Sequence, residues 1–440
     1  MKYKKYPSYK DSGVEWLGEI PTEWINSKLK YHAFIYNGNS ISDNEKSAYE
    51  NLDKETSIPY VSTKDIDSNF LTINYDNGMR VSNDDKFKRA KKGSTLICIE
   101  GGSAGKKLTN LDKDVCFVNK LACIDSYNKL DNRYAYYITQ SSIFKYSFNL
   151  ATTGLIPGVS INQLKDFEII RPPFKEQQQI AKFLDNATQK MDTLIQKQEN
   201  LIKLLKEKRQ AVISHAVTRG LNPDVKFKDS GVEWLGEVPE HWGIKKLKYI
   251  ATVNDNSLSE TYNEDFEINY IDIGSVSTGY INKYETMMYS SSPSRARRII
   301  KEGDILVSTV RTYLKAIAPV SFFEDNYIAS TGFAVIRSKN MIVSNFMKYA
   351  LLSNYFVDLV EASSVGISYP AINSSDLITF KLSVAPINEQ KEIANYLDDK
   401  TQKIDKLIKK ATKSIKLLKE KRTALISAAV TGKIDVRELV

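Results

Sequence analysis

The sequence predicts a mixed α/β protein made of two globular units, each followed by a long helix. Three observations predict it. The stretch 176–220, EQQQIAKFLDNATQKMDTLIQKQENLIKLLKEKRQAVISHAVTRG, returns at 389–432 as EQKEIANYLDDKTQKIDKLIKKATKSIKLLKEKRTALISAAVTG. The opening KDSGVEWLGEIP at 10–21 returns at 228–239 as KDSGVEWLGEVP. Between each opening and each long stretch lies strand-rich sequence that the halves share only in outline. LLKEKR stands at 204–209 and at 417–422, an offset of 213 residues, far too long for a solenoid repeat.

The long stretches read as helices by spacing. Ile180, Leu184, Ala187, Met191, Leu194, Gln198, Leu201, Leu205, Lys208 and Val212 step by 4 and 3 in alternation. Ile393, Leu397, Lys400, Ile404, Leu407, Ala411, Ser414, Leu418, Lys421 and Leu425 repeat those steps. This is a coiled-coil seam with polar interruptions. Phe183, Ile195, Ile202 and Leu204 widen the apolar face, as do Tyr396, Ile408, Ile415 and Leu417. So wide a face can touch a second surface besides its coiled partner. Neither stretch holds Gly or Pro before Gly220 or Gly432. About 42 residues at ~1.5 Å each make a rod of roughly 60 Å. Alone it would leave its apolar stripe wet, so the simplest partner for one copy is the other.

Composition sets the class. At 440 residues the chain holds two domains or more. The 42% hydrophobic and 10% aromatic content supports true cores. Lys+Arg 62 against Asp+Glu 53 gives +9, compatible with a polyanionic partner. Cys98, Cys116 and Cys123 are odd in number and form no CxxC pair, which predicts buried reduced thiols in the cytoplasm. The start MKYKKYPSYKDSG lacks the apolar core of a signal peptide. No apolar run approaches ~18 residues, so no membrane partner is expected.

After each opening, Trp24 aligns with Trp242 and KLKY at 28–31 with KLKY at 246–249. Trp16, Trp24, Trp234 and Trp242 are expected in core or interface packing. Strands are predicted at 57–66, 94–100 and 115–124 in the first half, and at 268–276, 303–310 and 331–338 in the second. Helical segments follow at 132–148 and 343–360. Each half closes with a loop, a short strand and a proline, at 152–173 and 363–386, and runs into the Glu-Gln of a long helix. The frame is nearly identical between the halves while the middles differ. A chain that keeps its frame and varies its heads is built to hold two different binding surfaces.

The architecture resembles the specificity subunit of Type I restriction-modification systems. The residues that carry the resemblance are the doubled opening, the G(L/I)xxP…IN…L loops at 154–164 and 366–377, the RPPFKEQQQIAKFLD and APINEQKEIANYLD junctions, and the doubled LLKEKR rods. It spans essentially the whole chain. It implies a first target-recognition domain at 1–173, a central long helix at 174–220, a second target-recognition domain at 221–386 and a C-terminal long helix at 387–440. The helices would pack as an antiparallel coiled coil in a pseudo-twofold repeat. Each head would read one half of a bipartite target in double-stranded DNA. The chain would itself be non-catalytic and carry no cofactor. It would recruit two adenine-methylating subunits that use S-adenosylmethionine, and through them restriction/translocase subunits that use ATP and Mg.

The residues agree about catalysis. GGSAGKK at 101–107 fails as a phosphate loop, because Glu100 stands where Gly is needed and Lys107 where Ser or Thr is needed. RPPF at 171–174 resembles the (Asp/Asn/Ser)-Pro-Pro-(Tyr/Phe) motif of amino-group methyltransferases. That motif needs a hydrogen-bond acceptor first, and Arg171 can only donate. His32, His215 and His241 stand far apart, which predicts no metal site. PDVKFK at 223–228 lacks the following Glu-x-Lys of a nuclease. Two other classes stay open on the residues alone: a stand-alone methyltransferase or nuclease, and a DNA-free scaffold whose heads bind proteins.

Phosphate contacts need Lys and Arg on loops, and base reading favours Arg, Lys, Asn and Gln in the major groove. The candidates in the first head are Lys64, then Lys86, Lys88, Arg89, Lys91 and Lys92, then Lys106 and Lys107, with Thr152 and Thr153 on the closing loop. In the second head they are Arg295, Arg297 and Arg298, then Arg311, Tyr313 and Lys315, with Ser363 and Ser364. The two basic clusters neighbour corresponding strands, which favours a shared DNA-facing edge. Lys203, Lys206, Lys208 and Arg209 are expected to face solvent or a partner.

Overall fold

The computed structural model describes residues 3–14, 17–69, 71–127, 129–152, 157–259, 262–321 and 326–439. It divides into two units, Met1–Glu199 with Thr412–Val440 and Asn200–Ala411. Both cuts fall inside long helices, Phe174–Arg219 and Ile387–Val430. Each unit is therefore one head with part of each helix.

In the first unit, strand Ser57–Val61 pairs antiparallel with Arg80–Ser82 and parallel with Val115–Phe117. The latter pairs with the edge strand Arg89–Ala90. A second sheet runs in the order Ala33–Asn37, Leu121–Ser126, Thr95–Cys98, Leu108–Asn110. Thr95–Cys98 is buried on both faces: Ile97 joins the core beneath the helices, and Leu96 and Cys98 join the core between the sheets' apolar faces. That alternation is the two-residue period of a strand. The expected strand at 115–124 is two strands, because a turn at 118–120 sends its halves to different sheets. The expected strand at 57–66 ends early. Asp65 accepts from the backbone N–H and hydroxyl of Ser62, and this capping box closes a one-turn helix, Thr63–Asp65.

The second unit repeats the order with different residues. Glu267–Ile271 pairs antiparallel with Glu285–Met288 and parallel with Tyr327–Ser330, which carries the edge strand Ala296–Ile299. Its other sheet runs Ala251–Val253, Phe333–Ser338, Ile305–Ser308, Ile317–Pro319.

Each head's helical segment breaks once. Ser141 and Ser353 leave helical backbone geometry, and their hydroxyls cap the next helix by accepting from the N–H of Phe144 and Phe356. The helices are Asn132–Gln140 and Ser142–Ala151, then Ser344–Leu352 and Asn354–Ala362.

Within each unit the long helices run antiparallel. In the first, Arg422 Nε donates to Asp192 Oδ1 at 3.0 Å; in the second, Arg209 Nε donates to Asp405 Oδ1 at 3.1 Å. The helices stop at Gly220 and Gly432, with φ of +75° and +73°. A side chain at Gly432 would overlap Pro21, and one at Gly220 would lie 3.3 Å from Trp242 Cζ2. The doubled helix end and the doubled opening thus form one packing contact in each unit. Trp24 and Trp242 are buried there, Trp234 is exposed, and Trp16 lies outside the described residues.

Candidate nucleic-acid interface

Two features recur at equivalent places in both heads. The first is a pair of loops joined through the backbone. In the first head the Gly-rich loop after Thr95–Cys98 meets the closing loop, with Gly101 N donating to Pro157 O at 2.8 Å. In the second head the loop after Ile305–Ser308 meets its closing loop: Ile372 N donates to Thr309 O at 2.9 Å, and Thr312 Oγ1 to Ser364 Oγ at 2.7 Å. The second feature is the basic edge strand.

The loop pair gathers Lys64, Lys106 and Lys107. Lys107 Nζ donates to Thr63 O at 2.8 Å, which sets it beside Lys64 around a cavity of about 520 Å³. Lys106 is exposed and donates to Gly102 O at 3.1 Å. Thr152 caps its helix by donating to Phe148 O at 2.8 Å; Thr153 lies outside the described residues. On the edge, Arg89 opens the strand and donates to Asn83 O, and Lys88 Nζ donates to Asn37 Oδ1 at 3.2 Å. Lys86, Lys91 and Lys92 are exposed on either side.

In the second head Arg311 sits in the left-handed region, φ +50°, with its guanidinium 5.1 Å from the centre of the Tyr369 ring. Tyr313 is exposed. Lys315, expected as a phosphate contact, is ion-paired inside the head. Its ammonium lies 3.1 Å from Glu361 and 3.5 Å from Asp358, and hydrogen bonding to Glu361 first of all holds its pKa above 10.5. Its charge is compensated within the head. Ser364 is likewise spent inside the fold, accepting from Thr312 and donating to Val360 O at 2.7 Å, and Ser363 ends the helix Asn354–Ala362. On the edge, Arg295 is exposed. Arg297 donates to the Tyr289 hydroxyl at 2.7 Å, and Arg298 to Ser257 Oγ at 3.1 Å. Burial pushes the Arg298 pKa down.

The family model of the Type I restriction modification DNA specificity domain matches residues 21–204 and 239–417. The chain belongs to this family. It is similar to the type I restriction enzyme MjaVIII specificity subunit of Methanocaldococcus jannaschii, 25% identical over 365 residues, which are 78% of this chain and 80% of that protein. Its fold is similar to a chain from a solved type I R-M system, with TM-score 0.70 and 16% identity over 94% of this chain and 99% of that one. It is also similar to the HsdS subunit of Thermoanaerobacter tengcongensis, with TM-score 0.50 and 15% identity over 94% and 98%. Every basic candidate of both specificity domains lies inside the matched spans.

Each specificity domain is fastened to the long helices by groups that spacing alone did not single out. Tyr137 donates to Asp185 at 2.6 Å and meets Thr188 at 3.2 Å; Tyr349 donates to Asp398 at 2.6 Å and meets Thr401 at 3.1 Å. Gln177 and Gln390 are fully buried at the head–helix junctions. Gln177 accepts from Asp131 N at 2.8 Å and donates to Lys129 O and Pro172 O at 2.9 and 2.8 Å. Gln390 accepts from Val343 N and donates to Met341 O and Ala385 O. All are doubled in the sequence, and that doubling was the available signal.

The apolar seam is shifted from the expected one. Ile180, Leu184, Leu205, Ile393, Leu397, Ile404 and Leu425 are buried, and Met191, Val212 and Leu418 are partly so. Leu194, Leu201 and Leu407 are exposed; Leu194 is 47% exposed, whereas Ile195 is 2%. A strict seven-residue repeat drifts ~20° per heptad around a straight helix, so burial passes to neighbouring positions.

Proposed function

We propose that this chain supplies DNA sequence recognition, without catalysis, in a type I restriction-modification complex. Each head reads one half of a bipartite, asymmetric target. One observation carries the reading: two DNA specificity domains share a strand order but differ in side chains at equivalent loop pairs and edge strands. A shared frame fixes where each head meets DNA, and the differing side chains make the half-sites differ. The outward Leu194, Leu204, Leu407 and Leu417 of the long helices offer apolar surface for two methyltransferase subunits, which would bring the restriction/translocase subunits. S-adenosylmethionine, ATP and Mg belong to those partners in this reading. Among the described residues no helix is long and apolar enough to cross a membrane, and we place the complex in the cytoplasm.

The test is modified-base sequencing of DNA from cells that express the chain with its methylating subunit, against cells lacking only this chain. A bipartite methyladenine motif that vanishes with the chain is expected. Methylation independent of the chain would discard the specificity role.

A further inference from the structure

Ile367 and Val365 are the two most exposed large apolar side chains among the described residues, at 103% and 81%. Tyr369, on the same loop, is 67% exposed. The loop is braced. Val365 N donates to Ala371 O at 2.9 Å and Ala371 N to Val365 O at 3.0 Å, closing a hairpin with Ile367 at its tip. Gly366 takes φ +116°, and a side chain there would meet the Tyr369 carbonyl at 3.2 Å. The hydrogen bonds to Thr309 and Thr312 and the Arg311 guanidinium over Tyr369 tie the hairpin to the adjacent basic loop.

Holding isoleucine in water on a fixed hairpin is unfavourable unless a partner covers it. The cation beside it selects an anionic partner. Duplex DNA supplies both surfaces: phosphates along its rim, and apolar base edges, above all the thymine methyl group, in the major groove. We propose that the 365–371 hairpin is a base-reading finger. Ile367 packs against a thymine methyl group in the second half-site while Arg311 takes the flanking phosphate. The proposal rests on the specificity reading above and names the residue that reads.

The experiment uses the assembled complex with its methylating subunits. Binding is measured to a duplex carrying the methylated motif, and to the same duplex with uracil replacing each thymine of the second half-site in turn. One uracil should weaken wild-type binding several-fold. Ile367→Ser should weaken binding to the thymine duplex by a similar factor and abolish the thymine–uracil difference. Its methylation motif should relax at that position alone, with the first half-site unchanged. Wild-type affinity indifferent to every uracil would overturn the finger, as would an Ile367→Ser complex with unchanged affinity and motif. If Ile367→Ser does not assemble, the uracil series on the wild type decides alone. A wild-type complex that confers no motif would instead overturn the specificity reading itself.

Discussion

At the scale of residues, the two heads are anchored by buried polar groups that act in pairs. Gln177 serves three backbone groups in a place closed to water. Replacing it by Leu keeps the volume and strands all three, at a cost of about 2–4 kcal/mol. Urea denaturation of Gln177→Leu should show that loss in the first unit. Glu176 and Asp435 give a second prediction. Glu176 accepts from the Tyr6 hydroxyl at 2.8 Å, and burial pushes its pKa above the ordinary 4.5. The folded chain binds that proton more tightly than the unfolded one. Its contribution to stability is full below pH 4.5 and is lost as pH rises through the raised value. Asp435 behaves oppositely. Hydrogen bonds from Arg437 hold it below 3.8, so its contribution is present above 3.8 and lost as pH falls through the lowered value. Melting temperature against pH should lose the first dependence in Glu176→Gln and the second in Asp435→Asn. A profile unchanged by either substitution would refute the assignment.

At the scale of elements, the long helices do two jobs with different faces. One face meets the head and the antiparallel partner, through Asp185, Asp192 and their counterparts Asp398 and Asp405. The outward leucines belong to the other. If the helices set the separation of the half-sites, one added heptad at 196–198, matched at the counterpart in the other helix, lengthens the rod pair. Seven residues at ~1.5 Å are roughly 10 Å, about three base pairs of DNA. The methylation motif should gain about that many unread positions with both half-sites intact. An unchanged spacer would sink the idea. A matched pair of insertions is required, because the antiparallel ion pairs would otherwise fall out of register.

At the scale of the whole molecule, the duplication has a functional consequence. The heads share strand order while their loops and edges differ, so recognition should be modular. Exchanging residues 1–172 for the head of another specificity subunit should change one half of the methylated motif and leave the other half as it was. Sequencing of modified bases reads the outcome directly, and a change in both halves would contradict modularity. The edge strands themselves differ: the second head's is irregular between Ala296 and Arg298, whereas the pairing of Arg89–Ala90 in the first head is regular. A bulge of this kind bends its strand and changes the direction of the side chains it carries.

The sequence by itself determined the doubled frame, the two long helices, most of the inner strands of the four-stranded sheets and the family. These are written in short-range chemistry: 3–4 spacing of apolar residues, β-branched runs, and glycine at helix ends. Serine breaks at Ser141 and Ser353 were equally local, but a helical run on both sides hid them. Only the tertiary structure decided which residues meet across the fold. Periodicity marks a helix face as apolar and does not name what covers it, so Leu194 and Ile195 exchanged places. Charge alone could not separate Lys106 from Lys315, because the acids that neutralise Lys315 lie some forty residues further along the chain. The hairpin that holds Ile367 in water was invisible for the same reason. Its exposure depends on backbone bonds to Thr309 and Ala371, and such pairings come into being only when the chain has folded.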